Sequence, residues 1–156
     1  MSTKKPRWPR WIERDEAINL REVAPNLFVG AEYATLHPPE GTKWELVVDW
    51  YGSSTQYPSR VRNTSKKLLS LPFLDGDAFP PKALDTLLRR VQAARQRGPV
   101  LVHCQAGLSR SASSAYALLR RLSRLPHDEA LRRVKVMPGY PRTETLRSAR
   151  GWAERS

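Results

Sequence analysis

Apolar residues along this chain fall into short continuous runs bounded by turn residues and into longer stretches with helical spacing. Leu27-Phe28-Val29, Leu46-Val47-Val48-Asp49-Trp50, the stretch from Lys67 to Phe73 and Val100-Leu101-Val102-His103 are short enough for strands. Their near-continuous apolarity predicts burial on both faces, as in a parallel sheet. The first of these lies in residues 19–30, read as one strand-bearing segment turned at Pro25-Asn26. Leu84, Leu87, Leu88, Val91 and Ala94 recur at three- and four-residue steps and predict a helix over 82–97, stopped by Gly98-Pro99. Ala112, Ala115, Tyr116, Leu119 and Leu122 predict another over 111–125, and Ala130, Leu131 and Val134 a third after Pro126. A last helix is expected over 143–152. A short one within 31–43 is expected to be cut off by Pro38-Pro39. Polar, turn-rich residues 52–65 read as a surface loop, with Tyr51 or Tyr57 beside it to shape a substrate edge. Alternation of strands and helices predicts an α/β fold, a compact central mostly parallel sheet flanked by helices. Residues 1–18 read as a basic arm in which Lys4, Lys5, Arg7 and Arg10 alternate with Pro6, Trp8, Pro9 and Trp11. The two tryptophans are expected to pack back onto the single domain of residues 19–156.

Length agrees with one domain: 156 residues suffice for one real core and not for two. Charge changes the picture more, because 27 Lys and Arg against 15 Asp and Glu leave a formal net charge of +12. Such a field draws anionic surfaces and phosphorylated partners. The cations are spread along the chain, without zinc-finger spacing, an RNA-recognition aromatic motif or a leucine-zipper heptad, so nucleic acid is not the favoured partner. The one cysteine excludes an internal disulfide and suits a reducing compartment. No apolar run has the length of a membrane span and the first dozen residues lack the apolar region of a signal peptide. A cytoplasmic monomer is expected.

That cysteine stands where the chemistry concentrates. Cys104 follows the run from Val100 to His103, Gly107 follows in the turn, and Arg110 stands six positions after the thiol where a helical pattern begins. Placement at a helix N-terminus beside an arginine lowers a thiol's pKa from about 8.5. Backbone N–H groups of Gln105, Ala106, Gly107, Leu108, Ser109 and Arg110 could curl into an anion cradle with the helix dipole behind it. The Arg110 guanidinium could clamp two phosphoryl oxygens, and a thiolate at the base of the cradle could attack phosphorus to give a phosphocysteine.

The stretch His103-Cys104-Gln105-Ala106-Gly107-Leu108-Ser109-Arg110-Ser111 resembles the signature loop of the dual-specificity phosphatases, within the cysteine-dependent protein tyrosine phosphatases. The resemblance covers roughly residues 25–150, and Leu27-Phe28-Val29-Gly30 is similar to the family's opening strand. It implies that Cys104 is the nucleophile, that Arg110 and the loop bind phosphate, and that Ser111 assists departure of the thiolate in the second step. It implies a buried supporting role for His103. His37 and His127 read as structural residues, and no metal or cofactor is implied.

An aryl leaving group needs a proton, which a carboxylic acid can supply and later recover from water. Asp75 precedes Cys104 by 29 positions (104 − 75) and Asp77 by 27 (104 − 77), both beside Gly76 on a stretch before the 82–97 helix. The family carries its acid on this loop, and Leu71-Pro72-Phe73-Leu74-Asp75 resembles the approach to it. Asp75 is therefore expected to be the acid and Asp77 the alternative. Gln105, Ala106, Leu108 and Ser109 are neutral, whereas phosphoinositide phosphatases of the group commonly add lysines there. The expected function is hydrolysis of phosphotyrosine in proteins or peptides, extending to phosphoserine and phosphothreonine. The alternatives are an RNA 5′-phosphate or phosphoinositide phosphatase, or a phosphate-binding module without turnover. Tyr140 and Arg142 are candidates for the border of the cleft.

Overall fold

The computed structural model describes residues 7–53 and 58–155. Six strands form one sheet: β1 (Arg10–Glu13), β2 (Leu20–Ala24), β3 (Leu27–Gly30), β4 (Leu46–Asp49), β5 (Leu68–Ser70) and β6 (Val100–His103). Their spatial order is β1-β2-β3-β6-β4-β5. The pairs β1/β2 and β2/β3 are antiparallel, whereas β3/β6, β6/β4 and β4/β5 are parallel. The expected mostly parallel α/β sheet is therefore present, with an antiparallel margin.

Helices cover both faces, which explains the uninterrupted apolarity of the central strands. Val29, Val48 and Val102 point to one face, where they meet α2 (Ala83–Ala94), α3 (Arg110–Arg121), α4 (His127–Val134) and α5 (Thr143–Glu154) in the larger core. The alternate residues Phe28, Val47 and Leu101 point to the other face, against Leu20, Ala34 and Trp44. A 3-10 turn (Glu32–Leu36) and α1 (Pro58–Thr64) lie on that second side. Leu87, Leu101, Leu118 and Leu119 are completely buried, each contributing about 2 kcal/mol of transfer free energy. The central helix α3 is buried along its length from Arg110 to Leu119. Such a helix can sit only between a sheet and other helices.

Several expectations need correction. Residues 58–64 form α1 where a loop was expected. Pro58 opens it, where a missing N–H breaks no helical bond, and buried Val61 supplies its inward contact. Tyr57 lies outside the described residues. The segment 19–30 contains two strands, because Asn26 takes a left-handed conformation (φ 61°) and reverses the chain. The span expected as an arm contributes β1, paired through Arg10↔Glu22 and Trp11↔Arg21 and reinforced by the Arg10–Glu22 ion pair at 3.1 Å. Trp8 and Trp11 do pack back, against the guanidiniums of Arg133 and of Arg14 and Arg21. The short helix within 31–43 is a 3-10 turn, and α2 and α3 end earlier than their apolar spacing suggested. His37 is exposed. His127 opens α4 and bonds the buried Tyr116 hydroxyl at 2.7 Å, a structural contact.

Candidate active site

Register across the parallel strands fixes where chemistry can occur. Gly30, His103 and Asp49 lie in one cross-strand row, and Asp49 is in turn opposite Ser70. All four parallel strands thus end at a single edge, the place where open α/β sheets bind ligands. Cys104 follows β6 directly, in the middle of that edge. The segments after β3, β4 and β5 flank it.

The loop from Cys104 to Arg110 is held from several directions. Gly107 adopts φ 73°, and a Cβ there would lie 2.6 Å from the Gly30 carbonyl carbon and 2.7 Å from the Ala31 nitrogen. Only glycine allows the loop to pass so close to β3. The Asn19 amide donates to the Ala106 carbonyl at 3.1 Å, and the Glu32 N–H to the Gln105 carbonyl at 3.0 Å. The Arg142 N–H donates to Ser109 Oγ at 2.9 Å, tying the segment before α5 to the loop. Gln105 and Ala106 are exposed, Leu108 is half-buried, and Ser109 is buried at the cap of α3. Gly107→Ala should therefore be expensive: a left-handed alanine alone costs about 1–2 kcal/mol, before the backbone overlap is relieved. We expect a loss of at least about 2 kcal/mol in urea unfolding together with weakened phosphate binding. Unchanged values for both would mean that the loop accommodates a Cβ at this position without cost.

Within this frame Cys104 and Ser111 adjoin each other, with Arg110 beside Ser111 at the start of α3. Cys104 is 3% exposed, and its Sγ lies 3.1 Å from Ser111 Oγ, a hydrogen bond that a hydroxyl can donate to a thiolate. Arg110 and Ser111 open α3, so the first-turn N–H groups and the positive end of the helix lie at the loop. Nη1 of Arg110 donates to the Phe73 carbonyl at 2.7 Å and the Trp50 carbonyl at 3.3 Å, while its buried Nε makes no hydrogen bond to the protein. The Tyr51 ring lies 5.4 Å from the same guanidinium. One nitrogen of the arginine is thus anchored to the strand ends, and the fork is fixed in orientation.

His103 is completely buried beneath the loop. Nδ1 lies 3.3 Å from the Cys104 carbonyl, and Nε2 faces Asp49 Oδ1 at 3.6 Å, an approach too long for a hydrogen bond. Burial pushes its pKa below the ordinary histidine value, against the pull of Asp49. The ring is therefore neutral at pH 7 and acts as packing and polar support. Asp49 is equally buried, and its Oδ1 accepts the N–H groups of Tyr51 at 2.8 Å and Gly52 at 2.7 Å, shaping the turn after β4.

Asp75 and Asp77 are both exposed, on a loop fastened to α5. The Thr145 hydroxyl donates to the Asp77 carbonyl at 2.8 Å and accepts the Gly76 N–H at 3.1 Å, while the Phe79 N–H donates to Ser148 Oγ. Asp75 Oδ1 accepts the N–H of adjacent Gly76 at 3.0 Å. At the loop's start, Phe73 packs edge-on against Trp50 and its carbonyl accepts from Arg110, joining the acidic loop to the Cys104–Arg110 loop. Sequence reasoning missed the supports: Asn19, Thr145 and the carbonyls of Trp50 and Phe73 carry no local signal of a partner so far along the chain.

No protein-family model and no curated protein sequence matches this chain. Solved structures do. TpbA from P. aeruginosa is 23% identical, covering 99% of this chain and 93% of that one with a TM-score of 0.70, and it is also known in complex with pTyr. Tk-PTP in its active form is 27% identical over 73% of this chain and 81% of its own, with a TM-score of 0.62. PTPMT1 in complex with PI(5)P is 16% identical over 82% of this chain and 90% of its own, with a TM-score of 0.59. The fold is that of the cysteine-dependent protein tyrosine phosphatase superfamily, and these likenesses do not single out one family within it.

Proposed function

We propose that this protein hydrolyses phosphomonoesters through a phosphocysteine intermediate, acting first on phosphotyrosine in proteins or peptides and secondarily on phosphoserine and phosphothreonine. The observation that carries the reading is the meeting of Cys104 Sγ with Ser111 Oγ at 3.1 Å, in a loop that ends in Arg110 at the start of a helix. In the first step the Cys104 thiolate forms a bond to phosphorus as the ester P–O bond breaks, and Asp75 protonates the departing oxygen. Arg110 and the loop N–H groups hold the equatorial oxygens, whose negative charge they stabilise. In the second step water gives its proton to Asp75 and forms a P–O bond as the S–P bond breaks, and the Ser111 hydroxyl donates to the departing thiolate. His103 supports the loop as a neutral residue. Asp77 is the alternative acid.

Phosphotyrosine is favoured by the neutral side chains of Gln105, Ala106, Leu108 and Ser109 and by the aromatic Tyr51 beside Arg110. The pTyr complex of TpbA supports the same choice. A phosphoinositide is the second reading, supported by the PI(5)P complex of PTPMT1 and by the net charge of +12. The deciding experiment is stopped-flow turnover of an aryl phosphate in chelator, followed by phosphotyrosine peptide and phosphoinositide at equal concentration. A burst of aryl alcohol with a higher rate on the peptide is expected. Binding of phosphorylated ligands without burst or turnover on any of these substrates would leave only a phosphate-binding module.

The same assay separates the acids. Asp75→Asn should slow aryl phosphate turnover by about 10²–10³-fold, the usual scale of general acid catalysis, while Asp77→Asn changes it less than about 5-fold. The reverse ranking would transfer the role to Asp77.

A further inference from the structure

The proposed proton donor stands on an exposed turn. Leu74, Asp75, Asp77 and Ala78 all face solvent, and the Asp75 carboxylate takes a hydrogen bond from its own neighbour, the Gly76 N–H, at 3.0 Å. Where the acid lies therefore depends on the backbone of this turn. The Asp77 N–H donates to the Leu74 carbonyl at 3.2 Å and Gly76 adopts φ 94°, which closes the turn on itself. Closure fixes the shape of the turn and not its place, and exposed loops of small and polar residues move unless tied down.

Thr145 supplies the tie. It lies in the first turn of α5, completely buried, in a helix whose own backbone a threonine hydroxyl commonly bonds. Its hydroxyl instead accepts the Gly76 N–H at 3.1 Å and donates to the Asp77 carbonyl at 2.8 Å. One oxygen thus commits its proton and a lone pair to two points of the same turn. Among the described residues, the hydrogen bonds that leave residues 74–78 for the rest of the fold go to Thr145. Further along α5, Ser148 Oγ accepts the Phe79 N–H at 3.0 Å and Trp152 Nε1 donates to Asp85 of α2 at 2.8 Å. Positions 145, 148 and 152 share one face of the helix, so that face holds the chain from the acids to α2.

The same helix is referenced to the Cys104–Arg110 loop. Its cap residue Arg142 donates its N–H to Ser109 Oγ at 2.9 Å. Arg121 of α3 donates to the Trp152 carbonyl at 2.7 Å, with its guanidinium 3.8 Å from the Trp152 ring. Since α3 begins at Arg110, both loops are placed by one pair of helices.

We infer that Thr145 is a positioning residue for the proton donor: its hydroxyl fixes the 74–78 turn against α5 and so sets where the acid meets the departing oxygen. The inference rests on the reading of Asp75, or its alternative Asp77, as the acid of a phosphomonoesterase. In that step the carboxylic proton passes to the ester oxygen as its P–O bond breaks, and Thr145 keeps its own proton. A misplacement of about 1 Å can cost about a hundredfold even when the misplaced group is intact. The cost depends on the leaving group. A phenol with a pKa of about 10 departs poorly without a proton, whereas an acidic dinitrophenol leaves as its anion.

The test compares kcat/KM for phenyl phosphate and for a dinitrophenyl phosphate, with folding checked by circular dichroism. Thr145→Val keeps the shape and loses the hydroxyl. It should lower the phenyl value by about 30-fold and the dinitrophenyl value by less than about 3-fold. Thr145→Ser, which keeps the hydroxyl, should bring the phenyl value back to within about 3-fold of the wild type. Inhibition by inorganic phosphate should change by less than about 2-fold in both, because the Cys104–Arg110 loop is untouched. A merely structural threonine would lower both substrates together. Equal losses on the two substrates, or none on either, in a folded Thr145→Val protein overturn the inference, provided that Asp75→Asn or Asp77→Asn spares the dinitrophenyl substrate. If neither acid variant distinguishes the substrates, the acid reading falls and this inference with it. Should Thr145→Val fail to fold, Ser148→Ala takes its place. A loss of about 5-fold confined to phenyl phosphate is then expected, and equal effects on both substrates overturn the inference.

Discussion

Cys104→Ser should abolish both the burst and steady-state turnover of an aryl phosphate, lowering kcat by at least about four orders of magnitude. A serine hydroxyl at this position has an ordinary high pKa and no base beside it. Neutral His103 lies under the loop with Nδ1 toward the Cys104 carbonyl and Nε2 toward Asp49, so it is not aimed at the nucleophile. The exchange changes only one atom in a pocket where Sγ already packs 3.1 Å from Ser111 Oγ. Stability should therefore change by less than about 1.5 kcal/mol, as for other near-isosteric replacements. Affinity for a phosphotyrosine peptide should persist, because Arg110 and the loop N–H groups are untouched. Calorimetry on the inactive variant together with rapid-quench kinetics reads both quantities. Residual turnover within about a hundredfold of the wild type would mean that phosphorus is attacked by something other than Cys104.

Arg110→Lys should lower kcat/KM by about 10³-fold, or about 4 kcal/mol of transition-state stabilisation. The charge survives in this variant, so its loss isolates geometry. In the wild type Nη1 is occupied by the carbonyls of Phe73 and Trp50, which hold the planar fork in one orientation. A lysine ammonium is a single point of charge. It cannot satisfy those carbonyls and also grip two phosphoryl oxygens. Loss of the Phe73 contact should further loosen the start of the acidic loop, so the acid's contribution falls along with phosphate binding. Inhibition by inorganic phosphate and the pH profile of kcat/KM measure the two effects separately. A change smaller than about tenfold would remove Arg110 from the role proposed for it.

The roles proposed for these two positions could be read before any fold was known because the pattern behind them is local. The strand before Cys104, the glycine in the turn and the helical pattern after Arg110 all lie within about 20 residues. Backbone sterics at Gly107 and the start of α3 constrain the loop within that span. The parallel core was equally legible, since strands covered on both faces must be apolar almost throughout. The same logic failed for α1, a helix of seven residues that carries one valine, the buried Val61, and offers too little periodicity to recognise. It failed for β1 too. The alternating aromatic and basic residues there become an edge strand only through pairing with β2.

The α/β alternation, the cysteine–arginine loop and the two aspartates beside Gly76, from which the proposed proton donor is drawn, are all readable from the order of residues. Tertiary structure decided what holds them: Asn19 to Ala106 across 87 positions, Arg110 to Phe73 across 37, and Gly76 to Thr145 across 69. It also buried Arg21, one of many arginines in a basic chain, against the carbonyls of Asn19 and Val134. The physical reason is a difference of range. Propensity, turn sterics and helix periodicity act over a few residues, whereas hydrogen-bond satisfaction and the cost of burying charge are settled only when distant segments meet.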